Sequence, residues 1–272
     1  MSEPYSLAGK TVLITGAGSG IGRLMALGAA KRGAKHVVLW DLNLQAAKAV
    51  VAEVKASGAA ASAQKVDVSQ REAVMTAATK TLTDVGGVDV VVNNAGIVAG
   101  KSFLSLSEKE ITQTYGVNTL ALYWTIQAFL PGMLERDSGR LVTIASAAGL
   151  AGSATLTDYS GSKYAAVGFM ESLRAELRDA GSSVSCLTVC SFYINTGMFD
   201  GVKSGSPLLK ITEAAPSAEK MLDAIESTKR ELLMPGMVYS VRYLRLLPVV
   251  VFDWLADAFG INKAMKTFRG RR

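Results

Sequence analysis

The sequence predicts an α/β fold, a doubly wound domain in which helices cover both faces of a parallel sheet. Three observations carry that expectation. The first apolar run, Thr11 to Ile14, opens into the glycine-rich turn Thr15 to Gly22 and then the Ala- and Leu-rich segment Arg23 to Lys31, giving strand, turn and helix in that order. Apolar runs and helical segments then alternate along the chain. The run Val88 to Val92 is nearly all valine, as a strand buried on both faces should be.

The chain has 272 residues, and no linker, repeat or low-complexity tract divides it, so 1–272 is read as a single domain. A hydrophobic fraction of 49%, a charged fraction of 19% and 26 glycines suit a large core joined by many tight turns. Met1 to Lys10 carries Glu3 and no apolar run, so neither a signal peptide nor an amino-terminal anchor is expected. The uncharged run Leu141 to Thr157 is too rich in Gly, Ser and Thr for a membrane span. Cys186 and Cys190 fall in one strand about 13 Å apart, too far for a disulfide; reduced core thiols and a cytoplasmic location follow. His36, the only histidine, has few ligand-type neighbours, and no metal site is expected. The net charge is +6, and Arg242 to Arg272, with seven basic residues against Asp253 and Asp257, holds +5 of it. That concentration argues against a nucleic-acid surface spread over the fold.

Taken in order, the first turn offers Gly16, Gly18, Ser19, Gly20 and Ile21 to a pyrophosphate, because glycines let backbone N–H groups approach phosphate at a helix's positive end. The second strand, Val37 to Trp40, ends in Asp41, nineteen residues after Gly22. An acid there accepts from a ribose 2′-hydroxyl and repels a 2′-phosphate, so NAD is preferred over NADP; the plainer reading is a helix cap. A helix over Leu44 to Ala56 leads to a third strand, Ala63 to Val66, followed by Asp67 and Val68 near the adenine side of the cofactor. Ser69-Gln70-Arg71-Glu72 reads as a capping box for a helix to about Asp84. The valine strand ends in Asn93-Asn94-Ala95-Gly96, at the carboxyl edge where such sheets bind ligands.

Ser107-Glu108-Lys109-Glu110 is a second capping box, starting a helix expected to run to about Glu135, with Asn118 among apolar neighbours and therefore in need of partners. The fifth strand, Leu141 to Ile144, places Ser146 beyond the sheet edge. In a helix from about Asp158 to Asp179, Tyr159 and Lys163 share one face, one turn apart. A phenol titrates near pH ~10, so a phenolate at neutral pH needs a shift of roughly three units, about 4 kcal/mol; Lys163 can supply part and a bound cationic ring more. Three polar groups thus converge on one substrate oxygen.

After a sixth strand, Val184 to Val189, the stretch 191–216 is irregular and carries Met198, Phe199, Val202, Leu208, Leu209 and Ile211; a lid over an apolar ligand is expected. Leu150, Leu156, Phe192, Met198 and Phe199 imply an apolar pocket for a retinoid, steroid, aryl or long-chain alcohol. A helix over Ser217 to Thr228 and a short strand, Glu231 to Leu233, precede a C-terminal extension at about 238–272. There Leu247, Val251, Trp254, Leu255 and Ala258 recur at helical spacing, a face that either packs on protein or lies on a membrane surface with Lys263 to Arg272 as its basic end.

With these residues in view, the chain resembles a classical short-chain dehydrogenase/reductase from Gly9 to about Pro235. The likeness rests on the Thr15 to Gly22 turn, Asp67, Asn93 to Gly96, Asn118, Ser146 and the Tyr159/Lys163 pair. It implies a Rossmann-type domain with a seven-stranded parallel sheet, a tetrad of Asn118, Ser146, Tyr159 and Lys163, and a homodimer or homotetramer built on the helices of Glu108 to Glu135 and Asp158 to Asp179. It further implies that Tyr159 is the general base, that Ser146 holds the substrate oxygen and that Lys163 binds the nicotinamide ribose. Thr196 would orient the carboxamide, and Asn118 would keep a water between Lys163 and solvent. Val189-Cys190, Asn195 to Phe199 and the tail from Leu246 to Met265 are similar to the retinol and lipid-droplet-associated hydroxysteroid dehydrogenase branch. The chain departs from the family in having Ser191-Phe192 where Pro-Gly is usual, a change expected to reshape the nicotinamide end of the pocket. The function implied is hydride transfer between NAD and an apolar alcohol or ketone. The alternative is a catalytically inert dinucleotide-binding scaffold; an epimerase or dehydratase is disfavoured because no separate substrate domain follows the core.

Overall fold

A computed structural model describes residues 5–203 and 211–270. In chain order it contains β1 (Thr11–Thr15), α1 (Gly20–Lys31), β2 (His36–Asp41), α2 (Leu44–Ala56), β3 (Ala60–Lys65), α3 (Arg71–Val85) and β4 (Val90–Asn93). It continues with α4 (Glu108–Tyr115), a π turn (Gly116–Leu120), α5 (Ala121–Glu135), β5 (Arg140–Ile144), α6 (Thr157–Asp179) and β6 (Ser185–Ser191). The last elements are β7 (Ile194–Asn195), β8 (Thr212–Glu213), α7 (Ala214–Ile225), β9 (Glu231–Met234), α8 (Ser240–Leu244), α9 (Val249–Ala258) and a 3₁₀ segment (Ile261–Thr267).

Seven strands form one sheet in the order β3-β2-β1-β4-β5-β6-β9, every pair parallel. Alternation within the strands explains the two covering layers. Val12, Ile14, Val90 and Val92 face Met25 of α1, Val50 of α2 and Met221 of α7. Leu13 and Val91 face Val74 of α3, Phe129 of α5 and Met170 of α6. A strand with both faces in a core has no use for polar residues, hence the valines of β4. The chain builds outward from β1 to β3 and then returns to β4 beside β1, and that reversal leaves a crevice at the carboxyl ends of β1 and β4.

Several expectations are corrected. β3 runs three residues earlier than its apolar tract suggests, because register with β2 sets its start at Ala60 opposite His36. The capping box at Ser69 does not form: the Ser69 hydroxyl donates to Asp67 Oδ1 (2.7 Å), and Gln70 is the N-cap. The box at Ser107 does form, with Glu110 accepting from the Ser107 N–H (3.0 Å). The helix it starts is interrupted by the π turn around Asn118. α7 begins at Ala214 rather than Ser217, since Pro216 in a first turn costs no helix hydrogen bond. The stretch 191–216 is less irregular than expected: β6 reaches Ser191, and β7 pairs with β8. Leu208 and Leu209 lie outside the described residues.

In the tail, only part of the expected stripe packs: Val251 is 41% exposed and Trp254 67%, whereas Leu255 of the stripe is partly buried, as is Phe259 beside it, and Ala256 is buried. The segment after α9 straps down two loops. Ser153 Oγ donates to the Ile261 carbonyl (3.2 Å), the Ala154 N–H to Asn262 Oδ1 (3.1 Å), and the Arg269 N–H to the Asp200 carbonyl (2.9 Å).

Candidate active site

Above the crevice lies a cavity of about 670 Å³ reaching from the β1–α1 turn to the C-terminal helices. At its first end the turn needs glycine for space. A Cβ at Gly22 would sit 2.2 Å from the Gly16 carbonyl oxygen, and one at Gly16 would sit 2.9 Å from Ala95 Cα at left-handed φ of +63°. Thr15 Oγ1 accepts from the N–H groups of Asn94 (3.0 Å) and Ala95 (3.1 Å). Asn94 Nδ2 donates in return to the carbonyls of Thr15 (2.9 Å) and Gly16 (3.1 Å), locking the β4 exit to the turn. Ser19 is the N-cap of α1 and its side chain makes no cap bond. Gly16, Ser19, Gly20 and Ile21 all line the cavity, so a helix end with positive partial charge faces it.

Asp41 lines the same end. Its Oδ2 accepts from the Gly18 N–H (2.8 Å) and its Oδ1 from the Asn43 N–H (2.8 Å), and each oxygen keeps lone-pair capacity for a ribose hydroxyl. The cap of α2 is Asn43, which accepts from the Ala46 N–H, so Asp41 is not serving as that cap. Asp67 and Val68 form the wall beyond it. Gly18 does not line the cavity; it stands behind the turn against Asp41.

Farther along the cavity Ser146, Tyr159 and Lys163 meet. Ser146 follows β5 and caps a short 3₁₀ turn, accepting from the Ala148 N–H (3.1 Å). Tyr159 and Lys163 share a face of α6 and are 5% and 4% exposed; Lys163 Nζ lies 5.7 Å from the Tyr159 ring centre and donates to the Ile144 carbonyl (2.9 Å). Gly96 stands between Lys163 and Asn118. Asn118 itself is outside the cavity: its Oδ1 accepts from the Ile97 N–H (2.9 Å), and its Nδ2 donates to the Ile97 carbonyl (2.9 Å) and Ser162 Oγ (3.0 Å). Its partners account for the buried amide and tie the π turn to the loop after β4.

Burial governs the titration of this trio. It pushes the Tyr159 phenol up to about 12, against the opposing pull of the Ser146 hydroxyl, and it drops the Lys163 ammonium to about 8. In the free protein at neutral pH, Tyr159 is therefore a neutral phenol beside a cation, able to give a proton. Taking one requires a further positive charge nearby.

The walls beyond this trio, toward the second end, are apolar. Leu156, Phe192, Met198 and Phe199 line them, with Thr196 close to Gly20. Leu150 does not; it packs behind Phe192 in a small cluster with Val167, Cys190 and Leu233. Residues missed in the sequence complete the wall. Tyr193 is buried, its ring edge-on to Phe199 at 4.9 Å, while Val241, Leu244, Leu255 and Phe259 close the far side from the C-terminal extension. Adjacency of Tyr193 to the Ser191-Phe192 departure was the available signal; the tail's contribution had none.

The model of the short chain dehydrogenase family matches residues 10–206. Human epidermal retinol dehydrogenase 2 is 42% identical over 97% of this chain and 86% of its own length, and human 17-beta-hydroxysteroid dehydrogenase 13 is 38% identical over 89% and 81%. Among solved structures, a short chain dehydrogenase/reductase from Burkholderia phymatum in complex with NAD superposes with a TM-score of 0.74 at 29% identity, covering 89% of this chain and 95% of that one. A putative NAD(P) dependent gluconate 5-dehydrogenase from Beutenbergia cavernae with bound NADP gives 0.76 at 29% identity, covering 87% and 99%. The chain therefore belongs to the short-chain dehydrogenase/reductase family, an oxidoreductase of the branch that holds the retinol and 17β-hydroxysteroid dehydrogenases.

Proposed function

We propose that this oxidoreductase moves a hydride between NAD and an apolar alcohol or its carbonyl, with Tyr159 handling the substrate proton. The observation that carries the reading is that Ser146, Tyr159 and Lys163 open into the same cavity as the glycine turn and Asp41. The residues fit a dinucleotide: a tight turn in which a Cβ at Gly16 or Gly22 would meet backbone, a helix end for the pyrophosphate, and an acid placed for the ribose. Lys163 and Thr196 would hold its nicotinamide half. A nicotinamide dinucleotide bound there supplies the hydride acceptor or donor.

Ser146 Oγ would hold the substrate oxygen while Tyr159 Oη exchanges its proton, and the Lys163 ammonium would favour the phenolate. Asn118, fixed to Ile97, would seat a water linking Lys163 to solvent. The signs for pH follow from which form of the phenol each direction needs. Alcohol oxidation needs the phenolate and speeds up as pH rises toward the phenol's pKa; carbonyl reduction needs the phenol and slows over the same range. Exposed apolar residues from α4 to α6, with Tyr123 tilted against Phe169 at 4.2 Å and Leu120 of the π turn 44% exposed, support a homodimer or homotetramer on those helices. Two buried free thiols, Cys186 and Cys190, support a reducing compartment such as the cytoplasm.

Tyr159→Phe is the direct test. It should bind NAD as the wild type does and lose at least about a hundredfold in kcat on an alcohol or ketone panel. Retained turnover would remove Tyr159 from the chemistry, and wild-type NAD binding with no turnover on any of the panel would favour the inert scaffold. For the cofactor, Asp41→Asn keeps an acceptor for the Gly18 N–H while deleting the charge, and should narrow the preference for NAD over NADP by about tenfold; equal use of both by the wild type would refute the ribose argument.

A further inference from the structure

The helix that carries Tyr159 and Lys163 starts without a cap. α6 begins at Thr157, its N-cap Leu156 makes no side-chain cap bond, and Thr155 before it is a β-branched residue held at a left-handed φ of +64°. Such a backbone is strained, and a first turn without a cap frays easily. Tyr159 stands in that turn, so its place has to be fixed from outside α6. The end of α4 and the π turn do this from the side. Thr114 Oγ1 donates to Asp158 Oδ2 (2.9 Å), and the two residues are 1% and 4% exposed. One turn along, Thr119 Oγ1 donates to the Ser162 carbonyl (3.1 Å), and Ser162 Oγ, which accepts from Asn118, donates to the Tyr159 carbonyl (2.7 Å). The approach is close: a Cβ at Gly161 would sit 2.3 Å from Tyr115 Oη.

Asp158 is the costly member of this seam. A first-turn acid suits a helix dipole equally well in water, so the dipole does not account for its burial. Its Oδ1 has no hydrogen-bond partner among the described residues, and a half-satisfied buried carboxyl group lowers stability. Such a group beside the reacting phenol makes sense if it serves that phenol. We propose that Asp158 and Thr114 are positioning residues for Tyr159: the bond between them stands in for the missing cap and holds the first turn of α6 where the phenol meets Ser146. The inference rests on Tyr159 carrying the substrate proton, as proposed above. It has a consequence for pH. The Ser146 hydroxyl pulls the phenol's pKa down, so a first turn that drifts loses that pull and alcohol oxidation then needs a higher pH. The titratable groups facing the phenol are Lys163 of α6, Cys190 of β6 and Tyr193 beyond it, and a substitution at Thr114 changes none of them.

The test is alcohol oxidation with NAD followed against pH in the full chain, for wild type, Thr114→Val, Asp158→Ala, Thr114→Ser and Asp158→Asn, beside Tyr159→Phe, with NAD affinity measured for each. Thr114→Val keeps the shape and loses the donor; its kcat should fall about tenfold and the midpoint of its pH profile should rise by about half a unit or more, with NAD affinity unchanged. Asp158→Ala should match it. Thr114→Ser and Asp158→Asn keep donor and acceptor and should stay within about threefold of wild type at the same midpoint. Wild-type kcat and midpoint in Thr114→Val, a fall in kcat with the midpoint unmoved, or Asp158→Asn as impaired as Asp158→Ala would each overturn the proposal. Wild type alone supplies a further check: the Ser160 amide, which donates to the Leu156 carbonyl (2.7 Å), should exchange its hydrogen about as slowly as amides in the middle of α6, and exchange at the rate of a frayed end would count against the tie whether or not the variants fold. Retained turnover in Tyr159→Phe would remove the underlying reading, whereas its loss there beside a wild-type Thr114→Val would sink the positioning role alone.

Discussion

The two ends of the cavity are made of different material. At the dinucleotide end the contacts are backbone and fixed polar groups: glycines too tightly placed to carry a Cβ, Thr15 and Asn94 clamping two strand ends, and Asp41 holding the turn. At the substrate end they are side chains from distant segments, with Phe192 and Tyr193 after β6, Phe199 in the loop beyond, and Leu255 and Phe259 from the tail. A backbone cradle tolerates almost no change, whereas an apolar wall can be recut one side chain at a time. One end is thus committed to one kind of ligand, and the other end can change substrate while the chemistry between them stays put.

Substitutions at the two ends should fail in different ways. The largest effect belongs to Gly22→Ala, because the added Cβ meets the Gly16 carbonyl at 2.2 Å and Ala17 Cα at 3.0 Å, both backbone. A loss of about 1–3 kcal/mol in stability is expected from the overpacking, seen as a lower thermal midpoint, together with dinucleotide affinity reduced more than tenfold in a fluorescence titration. Normal binding by this variant would show that the turn has slack. A milder and opposite pattern is expected of Leu255→Ala and Phe259→Ala. Each removes a partly buried wall contact worth about 1 kcal/mol, so KM for a bulky apolar alcohol should rise about fivefold with NAD affinity unchanged. If NAD affinity moved as much as KM, the division into two ends would not hold.

That division also separates what was legible in the sequence from what was not. β1, the glycine turn, α1 and Asp41 are contiguous or nearly so, and local spacing encodes them; α2 falls where its periodicity places it. Local rules misled where a competing partner was close at hand, as when Asp67 took the Ser69 hydroxyl from the cap of α3. The π turn had no compositional mark, since it is stabilised by Asn118 reaching a loop twenty-one residues away. In α9 the apolar residues Val249, Val250, Val251, Phe252, Trp254 and Leu255 surround the helix, so periodicity could not select the packed face. The part of the tail that walls the cavity became visible only once the strap through Ile261, Asn262 and Arg269 folded it back.

Between the two ends sits a phenol that burial holds protonated, and alcohol oxidation depends on what lowers its pKa. The measurement is an ultraviolet difference titration of wild type against Tyr159→Phe, with and without saturating NAD. In the free protein the Tyr159 phenolate should emerge only near pH 12, and with NAD bound it should emerge at least about two units lower under the pull of the cationic ring. A titration of Tyr159 that NAD leaves unmoved would contradict it.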